Sequence, residues 1–193
     1  AIDALASATG DLGRLSWDLS LFASAEFGYV TLPDVFCTGS SIMPNKHNPD
    51  GVELLRSLHG TVVGARAELE AVLSLPSGYQ RDLQDTKPPL IRAFTRPMDG
   101  LALVPRLLDG LNWDLERMAT AVTGAMHATD VANEAVAKGT SFREAYRMVA
   151  DDLAALDARN AQDSLLARRS PGACGDLMLE TLAERLAQLV RAD

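Results

Sequence analysis

Aromatic residues make up only 5% of this 193-residue chain, although hydrophobic residues as a whole reach 47%. A core short of Phe, Tyr and Trp has to be built from Leu, Ala and Val, which favours packed helices over a sheet. Cysteine is scarce as well. Cys37 and Cys174 stand far apart with no CxxC or Cys/His spacing, so neither a structural disulfide nor a zinc site is expected. Two free thiols in a reducing compartment are the default. Basic charge is in deficit: 18 Lys and Arg against 26 Asp and Glu leave a net −8, which argues against a nucleic-acid or polyanion surface. No apolar run nears the roughly 18 to 20 residues of a membrane span. No charged start followed by an apolar signal core opens the chain. A soluble, cytoplasmic protein is expected, long enough for one domain or one and a half.

What is present is mostly helical periodicity. Leu12, Leu15, Leu19 and Phe22 follow i, i+3, i+4 spacing and predict a first helix ending before Gly28. The chain opens on Ala1 with no capping signal, as though inside that helix. "NPDGVELLRSLHGTVVGARAELEAVLSLP" predicts a long second helix, with Asn48 as N-cap, Pro49 at the first helical position and Asp50 in the first turn. Pro76 and Gly78 stop it. A third helix is expected from about Leu90 to Leu111, kinked or broken at Pro97 and Pro105. Another starts from Asn112, and Ser141 with Glu144 has capping-box spacing for a further one. The fold class is all-α, with long helices over residues 1–111 and a small helical domain over 112–193.

One stretch interrupts this pattern. "TGSSIMPNKHNPD", residues 38–50, crowds Gly, Ser, Pro, Asn, Lys and His into a connector for which two to eight cheap polar residues would suffice. Gly39 would let the chain turn tightly, so that the N–H groups of Ser40 and Ser41 face a ligand. The start of the second helix offers unpaired N–H groups and a positive dipole end to the same space, and Lys46 adds a full charge. Such a place stabilises an anion, including a carboxylate gathering a second negative charge. A Ser hydroxyl in that field ionises more readily and can take a proton from carbon. A glycine–serine turn leading into an Asn-Pro helix cap accounts for the same spacing, and spacing alone leaves both readings open.

"GSSIMPNKHNP" resembles the signature loop of the fumarase/aspartase superfamily of lyases, close to GSSxMPxKxNP. The flanking "AEFGYVTLPDVFCTGSSIMP", "NPDGVELLRS", "YQRDLQDTKPPL" and "ATDVANEAVAKGTSFREAY" resemble the argininosuccinate lyase family within it. The resemblance runs from residue 1 to about 172 and covers less than half of such an enzyme. It implies a helical-bundle fold and the splitting of argininosuccinate into arginine and fumarate by β-elimination, with no cofactor and no metal. Ser40 matches the catalytic serine, thought to remove the Cβ proton of the succinyl moiety. Lys46 and Asn48 match the stabilisers of the resulting dianion, and Glu53 matches the partner of a catalytic histidine. Substrate binding is implied for Ser41, Tyr79, Gln84 and Lys87. The family's histidine belongs to a Thr-His segment of the N-terminal half, so this chain is expected to hold part of a site that a homotetramer and that half would complete.

Three positions depart from the pattern. Asn45 stands where Gln is common, His47 where Lys is, and Thr86 where an acidic residue is usual. His47 exchanges a permanent charge for one that titrates near neutrality. That leaves open a lyase of the same superfamily acting on adenylosuccinate, aspartate or another N-substituted succinate. A non-catalytic helical oligomer is the reading from a different class. His59 and His127 are expected to be ordinary helix histidines.

Overall fold

The computed structural model describes residues 1–74, 78, 80–156 and 159–191. The chain divides into two compact units, Ala1–Leu115 and Glu116–Asp193.

In the first unit three long helices run α1 (Ile2–Phe22), α2 (Asp50–Leu73) and α3 (Lys87–Asp109). The buried residues of α2 are Val52, Leu55, Leu58, Val62, Ala65 and Leu69, spaced by threes and fours as a helical stripe requires. On α1 the buried set is Leu5, Ala6, Thr9, Leu12, Ser16 and Leu19. The two stripes run antiparallel. Arg66 meets Asp3 at 3.0 Å, His59 Nδ1 lies 3.2 Å from Thr9 Oγ1, and a Cβ on Gly13 would sit 3.7 Å from the Arg56 carbonyl. α3 is antiparallel to α2 and also touches α1: a Cβ on Gly100 would meet Leu58 and Leu55, while Arg92 pairs with Glu68. Leu12, Leu19, Val30, Leu32, Val52, Leu55, Leu58 and Leu107 form the main core, and Leu5, Ala6, Val62, Ala65 and Ala93 extend it.

Pro97 and Pro105 do not break α3. Each removes a backbone donor, at a local cost of about 3 kcal/mol. The buried face nevertheless keeps helical register through Pro89, Ala93, Pro97, Gly100 and Leu107, so core packing carries the helix across both. Asn112 also departs from expectation. With Trp113 it forms a strand, antiparallel to Val30–Thr31, and the next helix, Leu115–Thr120 (α4), begins only after it. Numbering these strands in chain order, Val30–Thr31 is β1, Thr38–Gly39 is β2, His47–Asn48 is β3 and Asn112–Trp113 is β4. With only these two-residue ribbons among the described residues, the class is all-α.

In the second unit α5 (Ala128–Ala137) packs on α6 (Phe142–Ala150). Ser141 caps α6, its Oγ accepting from the Glu144 N–H at 3.3 Å. Asn160 caps α7 (Ala161–Ala167) in the same way at 3.0 Å. The last helix, α8 (Leu179–Arg191), leaves Leu179, Leu182, Leu186 and Leu189 exposed.

Candidate active site

The Gly/Ser/Pro/Asn stretch folds as a hairpin. Thr38 pairs with Asn48 and Gly39 with His47, so β2 and β3 form a short ladder with residues 40–46 as its loop. A 3-10 turn at Asp34–Phe36 feeds β2, and α2 leaves β3 after a single residue, Pro49. Inside the loop the Lys46 N–H donates to the Met43 carbonyl at 3.1 Å, which tightens the return strand. Ser40 and Lys46 therefore stand at the two exits of the ladder, each one residue beyond the Gly39–His47 pair.

Ser40 is the most constrained of the candidate side chains. Its Oγ accepts from the backbone N–H of Ile42 at 3.2 Å and of Met43 at 3.1 Å. Two donors directed at one oxygen favour its ionised form over its neutral one. Oxyanion-type stabilisation is therefore provided, but toward the serine's own oxygen and by residues 42 and 43. The tight turn expected of Gly39 is absent, because Gly39 lies in β2 outside the left-handed region, with open space around its Cβ position. Asn48 is likewise not the N-cap. It is held in the ladder opposite Thr38, Pro49 takes the cap position, and the Glu53 N–H donates to the Pro49 carbonyl at 3.1 Å. Cross-strand pairing has overridden a local capping preference.

Around the hairpin, Ser41 and Lys46 are exposed. Glu53, one turn into α2, lies 3.8 Å from Arg56. Arg56 in turn donates to Ser20 Oγ at 3.3 Å and covers the face of Trp17 at 5.2 Å. His47 Nε2 is 3.5 Å from an Asp34 carboxylate oxygen, and Asn45 sits exposed at the tip. Burial, and after it the charges of Asp34 and Asp50, push the Cys37 thiol up from its ordinary value, so it stays protonated near neutrality and is a poor nucleophile.

The second group of expected residues lies elsewhere. Tyr79 falls outside the described residues. Lys87 opens α3 and donates from Nζ to Gln84 Oε1 at 2.6 Å. Thr86 turns its hydroxyl onto the Leu83 carbonyl at 2.7 Å. The hairpin enters the first turn of α2, whereas Gln84 and Lys87 follow its last. Since α2 has 24 residues, the two groups are separated by roughly 35 Å at 1.5 Å per residue. One chain does not bring Ser40 and Lys87 to one substrate.

The other two histidines do structural work. His59 is held by Thr9 in the α1–α2 seam. His127, in the second unit, is buried, with Ser164 Oγ 3.2 Å and Asp130 3.6 Å from the same nitrogen, Nδ1. A nucleophilic relay needs the serine on the opposite ring nitrogen from the carboxylate, and His127 Nε2 is buried without a partner among the described residues. Burial raises the Asp130 pKa, but Arg168 and then His127 outweigh it and hold that carboxyl below its ordinary value.

Sequence could have signalled little of what it missed here. Thr38, Asp34 and Asp50 are common loop residues, and only the hairpin register shows that they flank the site.

Comparison with known proteins fits this architecture. A lyase family model matches residues 1–64. The chain is 53% identical over 187 residues to an argininosuccinate lyase of Xylella fastidiosa (strain Temecula1 / ATCC 700964), covering 96% of this chain and 42% of that one. An argininosuccinate lyase of Xanthomonas euvesicatoria pv. vesicatoria (strain 85-10) is 50% identical over 186 residues, 96% of this chain and 43% of its own. Among solved structures, EDDS lyase in complex with formate superposes with a TM-score of 0.70 at 22% identity, covering 98% of this chain and 46% of that one. Class II fumarase from Schistosoma mansoni gives 0.59 at 21% identity over 79% of this chain and 31% of its own. These two likenesses speak for the fold alone. Along nearly its whole length the chain is similar to these argininosuccinate lyases, and it spans about two fifths of their length.

Proposed function

We propose that this chain carries the proton-abstracting part of an argininosuccinate lyase, residues 1–111 closing a central helical bundle and 112–193 forming a small helical domain. Ser40, as the alkoxide, takes the Cβ proton of the succinyl moiety. The electron pair left behind moves into the adjacent carboxylate, and Lys46 and Asn48 stabilise the dianion that forms. Collapse of the dianion forms the carbon–carbon double bond and breaks the Cα–N bond, whose electron pair leaves on the already protonated guanidinium group, giving fumarate and arginine. Glu53 supports the histidine that the family supplies from another segment, and Ser41, Tyr79, Gln84 and Lys87 hold the substrate. Neither a metal nor a cofactor takes part. The single observation that carries this reading is Ser40 Oγ receiving two backbone N–H bonds at the mouth of a hairpin shared with Lys46.

The separation of the two residue groups along α2 supports a site assembled from several copies, and a cytoplasmic homotetramer is the form we assign. The test is Ser40→Ala in the full-length protein. Fumarate release from argininosuccinate, followed by absorbance, should fall by at least 10³-fold with the oligomer unchanged. Activity within tenfold of the parent would exclude Ser40 as the base. A second reading, a different N-substituted succinate as substrate, draws on His47 facing Asp34 where a fixed cation would be expected. Fumarate released faster from adenylosuccinate or aspartate than from argininosuccinate would favour it.

A further inference from the structure

The root of the hairpin is closed by two side chains that the proposed reaction does not use. Thr38 Oγ1 donates to Asp50 Oδ2. Thr38 lies two residues before Ser40, and Asp50, the first residue of α2, lies two after Asn48. The ladder above them is two residues long, and a ribbon that short has little stability of its own. The side-chain bond ties its open end to the rigid start of a 24-residue helix. On the neighbouring residue the helix has no slack. A Cβ on Gly51 would stand 2.7 Å from Phe36 Cδ1 and 3.0 Å from the Phe36 carbonyl oxygen, so the first turn of α2 is already seated against the turn that feeds β2.

Resting on the catalytic reading above, we infer that Asp50 is a positioning residue: through Thr38 it sets where Ser40 Oγ and the Lys46 ammonium stand at the mouth of the hairpin. It contacts neither substrate nor reacting atoms. A first-turn carboxylate also complements the helix dipole, and that purely structural role has to be separated from positioning. Thr38 allows the separation, because removing its hydroxyl leaves the Asp50 charge at the helix start untouched.

The experiment compares Thr38→Val, Thr38→Ser, Asp50→Asn and the Thr38→Val/Asp50→Asn double variant in the full-length protein, beside Ser40→Ala. Displacing a catalytic group by a fraction of an ångström costs on the order of tenfold or more in turnover. Thr38→Val should therefore lower kcat about tenfold, with KM within about threefold of the parent. Thr38→Ser should recover kcat to within about twofold, since the donor is restored. The double variant should be no slower than the worse single one, because both remove one link. A Thr38→Val kcat within twofold of the parent overturns the inference, as do fully additive losses in the double variant. Should Asp50→Asn not fold, the Thr38 pair decides alone. An inactive Ser40→Ala beside a fully active Thr38→Val overturns positioning and leaves the catalytic reading standing. A Ser40→Ala that keeps its activity overturns both.

Discussion

Two variants that are each inactive should restore activity when assembled together. Ser40 enters α2 at one end, and Lys87 follows its other end after 24 helical residues. The antiparallel return of α3 does not shorten the gap. Arg92 is level with Glu68 and Gly100 with Leu58, so Lys87 lies still farther toward Leu73. The separation of roughly 35 Å far exceeds the length of an N-substituted succinate, so the site proposed above requires its Ser40 and its Lys87 from different chains. Ser40→Ala and Lys87→Ala proteins are mixed in equal amounts, unfolded and reassembled. With random mixing, about half of the sites receive an intact Ser40, and about half of those an intact Lys87. Fumarate release should return to about a quarter of parental kcat/KM, against almost none for either variant reassembled alone. Mass-tagged subunits confirm that mixed oligomers formed. Mixed oligomers with no recovered activity would mean that one chain supplies both residues, and the reasoning from the length of α2 would fail.

Two further outcomes follow from packing and charge. Gly100→Ala places a methyl onto Leu58 Cδ1, with Leu55 Cδ2 3.3 Å away. Overpacking of about 1–3 kcal/mol should outweigh about 1 kcal/mol of helix propensity gained. In a Leu58→Ala background the methyl has room, and the sign should reverse; urea midpoints at fixed protein concentration read both. For Asp130, Arg168 and His127 outweigh burial and hold the folded pKa below the ordinary value of 3.8. Its stabilising contribution is therefore complete above that value and fades as pH falls through the lowered one. Asp130→Asn should lower the thermal midpoint of the protein at neutral pH, with the difference from the parent closing in acid. A difference independent of pH would show that the ion pair is not its source.

What the sequence made legible were features decided locally. The stripes on α1 and α2 follow from spacing, the Ser141 cap from one hydroxyl three residues before a glutamate, and the break between α1 and α2 from its density of Gly, Ser, Pro and Asn. What it concealed depends on partners far along the chain. Asn48 has the residue type and the following proline of an N-cap, yet pairing with Thr38 claims its backbone. Asn112 reads as a helix start until Thr31 is known to lie opposite. Pro97 reads as a break until its burial in the core face of α3 is seen. Within the loop, N–H groups were expected to face a ligand from residues 40 and 41, whereas the N–H groups of Ile42 and Met43 donate to Ser40 Oγ.

The hairpin's register also bears on how its chemistry can be changed. Gly39 and His47 are joined through their backbones, so their pairing does not depend on which side chain residue 47 carries, while the contact to Asp34 goes with the imidazole. Asn45 and His47 are both exposed, and of the two His47 reaches back to Asp34. Variation at both positions therefore leaves the backbone ladder its hydrogen bonds and changes the charge beside Ser40 and Lys46.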